Sequence, residues 1–63
     1  MTNHDACKKM AKAWKHLRMA EATCASGIVI DNIRIAADFI YEVGEEKFCK
    51  EFADEIKQIH MGL

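Results

Sequence analysis

An all-α fold follows from three features of the chain. Apolar residues recur at the helical period along nearly its whole length, proline is absent, and each of the three glycines closes a helical pattern. With no proline to interrupt a helix, Gly27, Gly44 and Gly62 become the punctuation, each suited to the left-handed position just past a helix C-terminus. The pattern predicts helix 1 from about Asn3 to Ser26, helix 2 from about Ile28 to Val43 and helix 3 from about Glu45 to Met61. Residues 1–63 are expected to form a single helical domain. Ile28-Val29-Ile30 is β-branched, but it is too short for a strand and has no companion to pair with.

Helix 1 opens on Thr2 or Asn3 as a cap, and Asp5 complements the dipole in its first turn. Its apolar seam runs Ala6, Met10, Ala13, Leu17, Ala20 and Cys24, widened on one flank by Cys7 and Trp14. Alanine dominates that seam, so a neighbouring helix can approach closely while little area is buried per residue. Trp14 is expected to anchor the core.

Helix 2 is apolar over an unusually wide arc. One face carries Val29, Ile33, Ala36, Ala37, Ile40 and Val43, while Ile28, Ile35 and Phe39 fall on a second strip bordered by Asp31, Asp38 and Glu42. Three helices cannot cover both. The second strip is therefore expected to face water in a lone chain, and to serve as a contact surface.

Helix 3 is cleanly amphipathic, with Phe48, Phe52, Ile56, Ile59 and Leu63 in one stripe, Cys49 and Ala53 beside it, and Glu45 and Glu46 in the first turn. Continuing the helix 2 face past Val43 lands on Lys47 and Glu51, whereas the apolar stripe restarts at Phe48. The face rotates by roughly 120° across Gly44, which predicts a break there. The alternative keeps helices 2 and 3 continuous, a two-helix hairpin that would dimerise into a four-helix bundle. Both arrangements call for a partner chain, since a domain of this length buries only about 60% of its unfolded surface. A homodimer is the default closed assembly.

Composition narrows the function. Cys7, Cys24 and Cys49 are odd in number and the N-terminus is polar, so a reducing cytoplasmic location is expected and disulfides are not. No apolar run approaches the roughly 18 residues of a membrane span. His4 and Cys7 have the i,i+3 spacing of a metal-ligating pair, but a second tight pair is missing and no metal or other cofactor is expected. Hydroxyls are few, the glycines are too scattered for a phosphate loop, and no catalytic constellation is apparent, so the chain is not expected to be an enzyme.

The net charge of −1 hides an asymmetry: residues 1–27 carry +3 and residues 28–63 carry −4. Lys8, Lys12 and Lys15 line the outer face of helix 1, with Met19 on the same side and Lys9 and His16 along its other edge.

The leading expectation is a small non-enzymatic regulatory protein that binds and modulates a larger protein as a homodimer. Accessory and inhibitor proteins of phages or mobile elements are often built on this scale, an analogy of size alone. Met19, Ile28, Ile35 and Phe39 are the expected partner-binding residues. One alternative is a nucleic-acid-associated regulator working through the Lys8, Lys12 and Lys15 face. Another is an oligomer that binds a small anion, such as a nucleotide, in a pocket between subunits.

Overall fold

The computed structural model of the chain describes residues 2–62. Three helices pack against one another: α1 over Asn3–Thr23, α2 over Gly27–Phe48 and α3 over Lys50–Gly62. No strand occurs among the described residues. The all-helical, three-helix class is as the sequence predicts, and helix 2 begins and helix 3 ends within one residue of the prediction, but the boundaries placed at Ser26, Val43 and Glu45 have moved.

α1 begins where expected, with the Thr2 hydroxyl accepting from the Asp5 N–H at 3.1 Å. It ends three residues before Ser26, and no glycine ends it. The Thr23 hydroxyl turns back to share its hydrogen between the Met19 and Ala20 carbonyls, both at 3.2 Å, and the Ala20 carbonyl is one that the last turn leaves open. Cys24 then leaves the helix in an extended conformation. Ser26 caps α2, its hydroxyl accepting from the Val29 N–H, so Gly27 is the first residue of a helix and not the residue after one.

Gly44 does not break α2. It lies buried within the helix because the Phe52 ring packs directly on it, and a Cβ there would collide with Phe52 Cε1, Cζ and Cδ1. The glycine opens room on the helix surface for a neighbour; no described glycine has a positive φ. The predicted rotation of the apolar face is taken up at Cys49, a single residue with φ 51° and ψ −123° between two helices. The two-helix hairpin is thereby ruled out as the fold of the chain, and Phe48 belongs to α2 instead of α3. Gly62 is the last residue of α3, and Leu63, assigned above to the helix 3 stripe, lies outside the described residues.

A positive φ at an L-residue costs on the order of 1–3 kcal/mol, most of which glycine avoids. Cys49→Gly is therefore expected to stabilise the fold by about 1 kcal/mol after glycine's own entropic cost. In a chain this short that corresponds to a rise in Tm of roughly 5 °C, read by thermal unfolding. An unchanged or lower Tm would show that the turn is not strained.

The core consists of Cys7, Ala11 and Trp14 from α1, Ala37 from α2, and Phe52 and Ile56 from α3, with Met10, Leu17, Ile40, Tyr41, Phe48 and Ile59 packed around it. Trp14 is the anchor the sequence predicts, but the buried face of α1 is centred on Cys7, Ala11 and Trp14, the flank of the predicted seam. Ala20 of that seam is exposed. Small residues, Ala11, Ala37 and Gly44, let the helices close on the aromatic cluster. Tyr41 lies 6.1 Å from Trp14 and 5.7 Å from Phe52, ring centre to ring centre. Glu51 meets His4 and His60 meets Trp14, so α3 runs beside α1 in the same direction.

Few residues are buried, and the shape reflects it. The chain measures 36 × 22 × 19 Å with a radius of gyration of 12.0 Å, against about 10.6 Å for a compact domain of this length. Its accessible surface is 4655 Å², where a compact monomer of this mass exposes about 4,100 Å².

Candidate interaction surfaces

Two directions on α2 are fixed by its contacts. Tyr41 and Gly44 face α3 through Phe52, and Arg34 reaches across to α1. At about 100° per residue, Ile28, Ile35 and Phe39 then point away from the core. They are 78%, 68% and 64% exposed, and Val29 beside them is 45% exposed. The strip is solvent-facing in the single chain, as the sequence predicts. Ala36 is also exposed, and Ile33, Ile40 and Val43 are only half-buried, so the uncovered surface continues from the strip towards α1.

The apolar side of α1 behaves similarly. His4, Trp14, Lys15, Arg18 and Ala22 meet or flank α3, whereas Ala6, Ala13, Leu17, Ala20 and Cys24 lie on the opposite side of the helix. All five are half-buried or exposed. The α1–α2 pair thus has two apolar faces, and α3 covers one of them.

Charge is distributed around this uncovered face unevenly. Asp31, Asp38 and Glu42 edge it along α2, and Lys9 and His16 edge it along α1; all five are exposed. Among the described residues, the ion pairs are His4–Glu51 at 2.6 Å, Arg18–Glu21 at 3.0 Å and Arg34–Glu21 at 2.7 Å. The Arg34 hydrogen bond, helped by the Arg18 and Arg34 charges against partial desolvation, holds the Glu21 carboxyl below its ordinary range. Neither the edge residues of the uncovered face nor the helix 1 lysines join these pairs.

Lys8 and Lys12, with Lys9 and Asp5, line a broad, open concavity of about 500 Å³ on α1. Lys15, the third residue of the predicted electrostatic face, is half-buried and borders a different feature, a groove of about 280 Å³ formed with the end of α3. Met19, 51% exposed, lines that groove with Trp14, Arg18, Ala22, Ile59 and His60. No α2 residue reaches it. The four predicted partner-binding residues therefore divide between two surfaces: Ile28, Ile35 and Phe39 on α2, and Met19 on the α1–α3 groove.

The paired His4 and Cys7 diverge. His4 Nδ1 turns to Glu51, and Cys7 is fully buried, with burial first, and then the Glu51 and Glu55 charges, pushing its thiol up. Cys49 is exposed and Cys24 half-buried, so only Cys7 acts as a core side chain. Among the described residues no three His, Cys, Asp or Glu side chains converge, and no helix is long and apolar enough to cross a membrane.

No protein-family model matches the chain, and comparison with characterised proteins and with solved structures finds no significant similarity. Function must be read from the surfaces themselves.

Proposed function

We propose that this chain is a small non-enzymatic regulatory protein that works as a homodimer, pairing through the uncovered α1–α2 face and docking on a larger protein with the surfaces left outside. The observation that carries the reading is the exposure of Ile28, Ile35 and Phe39 in a chain with so few buried side chains. The surface in excess of a compact monomer, about 550 Å² per chain, approaches the roughly 800 Å² per partner that a specific interface buries. Aromatic and branched anchors ringed by charge are the usual centre of such a contact.

The charges favour a second copy as the occupant. In a two-fold arrangement that lays α1 of one protomer over α2 of the other, the acidic edge of Asp31, Asp38 and Glu42 faces the Lys9 and His16 edge of the partner. The reverse pairing, α2 on α2, would set acidic edges against one another. Light scattering over a dilution series tests this. A mass of twice 7.2 kDa that persists to low micromolar concentration supports the reading, and a mass of 7.2 kDa throughout removes it.

A second reading rests on the concavity of Lys8, Lys9 and Lys12, cations that join no ion pair among the described residues. In it, the basic face of α1 meets nucleic-acid phosphates, an interaction that weakens steeply with salt. Replacing Lys8, Lys12 and Lys15 with glutamate is then expected to abolish salt-sensitive retention of the protein on duplex DNA or RNA. Retention unaffected by the substitutions, or absent from the native chain at low salt, eliminates this reading.

A further inference from the structure

We infer that the groove where α3 ends against α1 is a binding site for a small free amphiphile, a single carboxylate on a medium-length apolar body. α3 has 13 residues where α1 has 21, so α1 continues beyond the point at which Ile59 and His60 lean on Trp14. The shelf left over is the groove of about 280 Å³. Its floor is apolar: Trp14, Met19, Ala22 and Ile59. Its rim is Lys15, Arg18 and His60, and among the described residues no carboxylate lines it.

The rim is partly held in place. Arg18 is drawn to Glu21 at 3.0 Å while its guanidinium carbon sits 5.8 Å from the centre of the Trp14 ring, and the His60 ring meets Trp14 edge-on at 5.4 Å. Glu21 offsets one charge outside the groove and leaves Lys15 in no ion pair among the described residues. An apolar floor under a cationic rim recognises a molecule with an apolar body and an anionic head, since each part is desolvated only where it finds its complement.

Size decides between a free molecule and a segment of another protein. The groove lies just below the roughly 300–1,000 Å³ of ordinary ligand pockets. From Trp14 to Ala22 it follows about 12 Å of helix rise, barely more than the two turns that the i to i+7 anchors of a helical peptide need at the least, so it favours a compact free molecule over a longer helical segment. It also lies on the side of α1 that meets α3, away from the face assigned to the second protomer, so the site does not depend on dimerisation.

Trp14 is the sole tryptophan and forms the floor, so its emission reports occupancy directly. The probes are octanoate, 1-octanol and octylammonium, titrated with circular dichroism recorded in parallel. Octanoate is expected to change Trp14 emission saturably at constant helicity and to bind at least about tenfold more tightly than either uncharged or cationic analogue, a preference that shrinks as salt rises. Lys15→Glu is expected to weaken octanoate by roughly tenfold or more. Ala22→Leu, at an exposed helical position, is expected to fill the groove and abolish the response with helicity kept. Phe39→Glu leaves the response intact, which separates this site from the apolar strip of α2. No saturable change at Trp14, equal binding of the three probes, or a Lys15→Glu variant that binds octanoate as the native chain does would each overturn the assignment.

Discussion

Gly44→Ala is expected to destabilise the native chain and to stabilise a Phe52→Ala variant, a reversal of sign set by one packing contact. Alanine at an interior helical position gains about 1 kcal/mol over glycine. Against that gain, a Cβ at residue 44 falls well inside van der Waals contact with three carbons of the Phe52 ring. Phe52 is fully buried and touches Tyr41, so the ring cannot retreat without opening the core elsewhere. Overpacking of this kind costs about 1–3 kcal/mol or more, and a net loss of about 2 kcal/mol is expected. Phe52→Ala alone should cost about 3–5 kcal/mol, the range for removing a buried aromatic. That rivals the whole stability of a chain this size, about 3–9 kcal/mol at 0.05–0.15 kcal/mol per residue. With the ring gone, the space over residue 44 is empty and the helix propensity of alanine is felt unopposed. The cycle is read from circular-dichroism melts at one protein concentration, with an excluded osmolyte added where Phe52→Ala is too weakly folded. If Gly44→Ala raises Tm in the native background, Phe52 does not pack on Gly44 and the placement of α3 is wrong.

That contact also explains which part of the fold could be read from the sequence. The helical class, the presence of two breaks, the Trp14 anchor and the Phe52–Ile56–Ile59 stripe all follow from apolar spacing, and the structure has them. The break positions do not follow from spacing, because a glycine has two meanings that look identical in a sequence. It can supply a positive φ past a helix end, or it can remove a side chain so that a neighbour may approach. Periodicity alone assigns all three glycines the first sense. Gly44 acts in the second, and Gly27 follows a serine whose capping hydroxyl was the better signal of where α2 begins. A clue to Gly44 was present: Ala37, Tyr41, Gly44 and Phe48 are spaced four, three and four, an unbroken core stripe if glycine is counted as a socket for a ring. Nothing in the residue type of Cys49 marks it as the turn, since the strained φ there follows from tertiary packing of α3.

The surfaces divide in the same way. Exposure of Ile28, Ile35 and Phe39 follows from one helix being apolar over more arc than two neighbours can cover, which is arithmetic on a helical wheel. The groove at Trp14 depends on where α3 stops relative to α1, a tertiary length mismatch that no local pattern contains. Met19 and Lys15 stand out in the sequence for exposure and charge, but their association with Ile59 and His60 appears only when α3 is laid beside α1. In the trio of Arg18, Glu21 and Arg34, the Arg18–Glu21 pair has the i,i+3 spacing of one helix, whereas the Arg34–Glu21 pair joins two helices and appears only in the fold.

Phe39→Glu is expected to convert the dimer into a folded monomer. Phe39 is 64% exposed in the single chain, so placing a carboxylate there disturbs little within one protomer, where surface changes usually stay within about 0.5 kcal/mol. At a two-fold interface the same change acts twice. Each lost phenyl group forfeits about 2–3 kcal/mol of burial, and each new carboxylate must be desolvated beside the Asp38 and Glu42 edge. Two copies give a loss of at least about 4–6 kcal/mol, which raises the dissociation constant by a factor on the order of 10³–10⁴. Light scattering should then return 7.2 kDa at concentrations where the native chain gives twice that mass. Because pairing stabilises the folded state by mass action, the native Tm should rise with protein concentration while that of Phe39→Glu stays flat and lies lower. A charge control fixes the orientation. Lys9→Glu is expected to weaken the dimer, and adding Asp38→Lys on the same chain to restore it, since the two-fold axis brings each altered edge against the other. A Phe39→Glu variant that keeps the native mass would place the interface elsewhere. One that loses its helicity along with the dimer would instead mean that Phe39 supports the fold of each chain, and that the strip is not the docking surface its exposure implies.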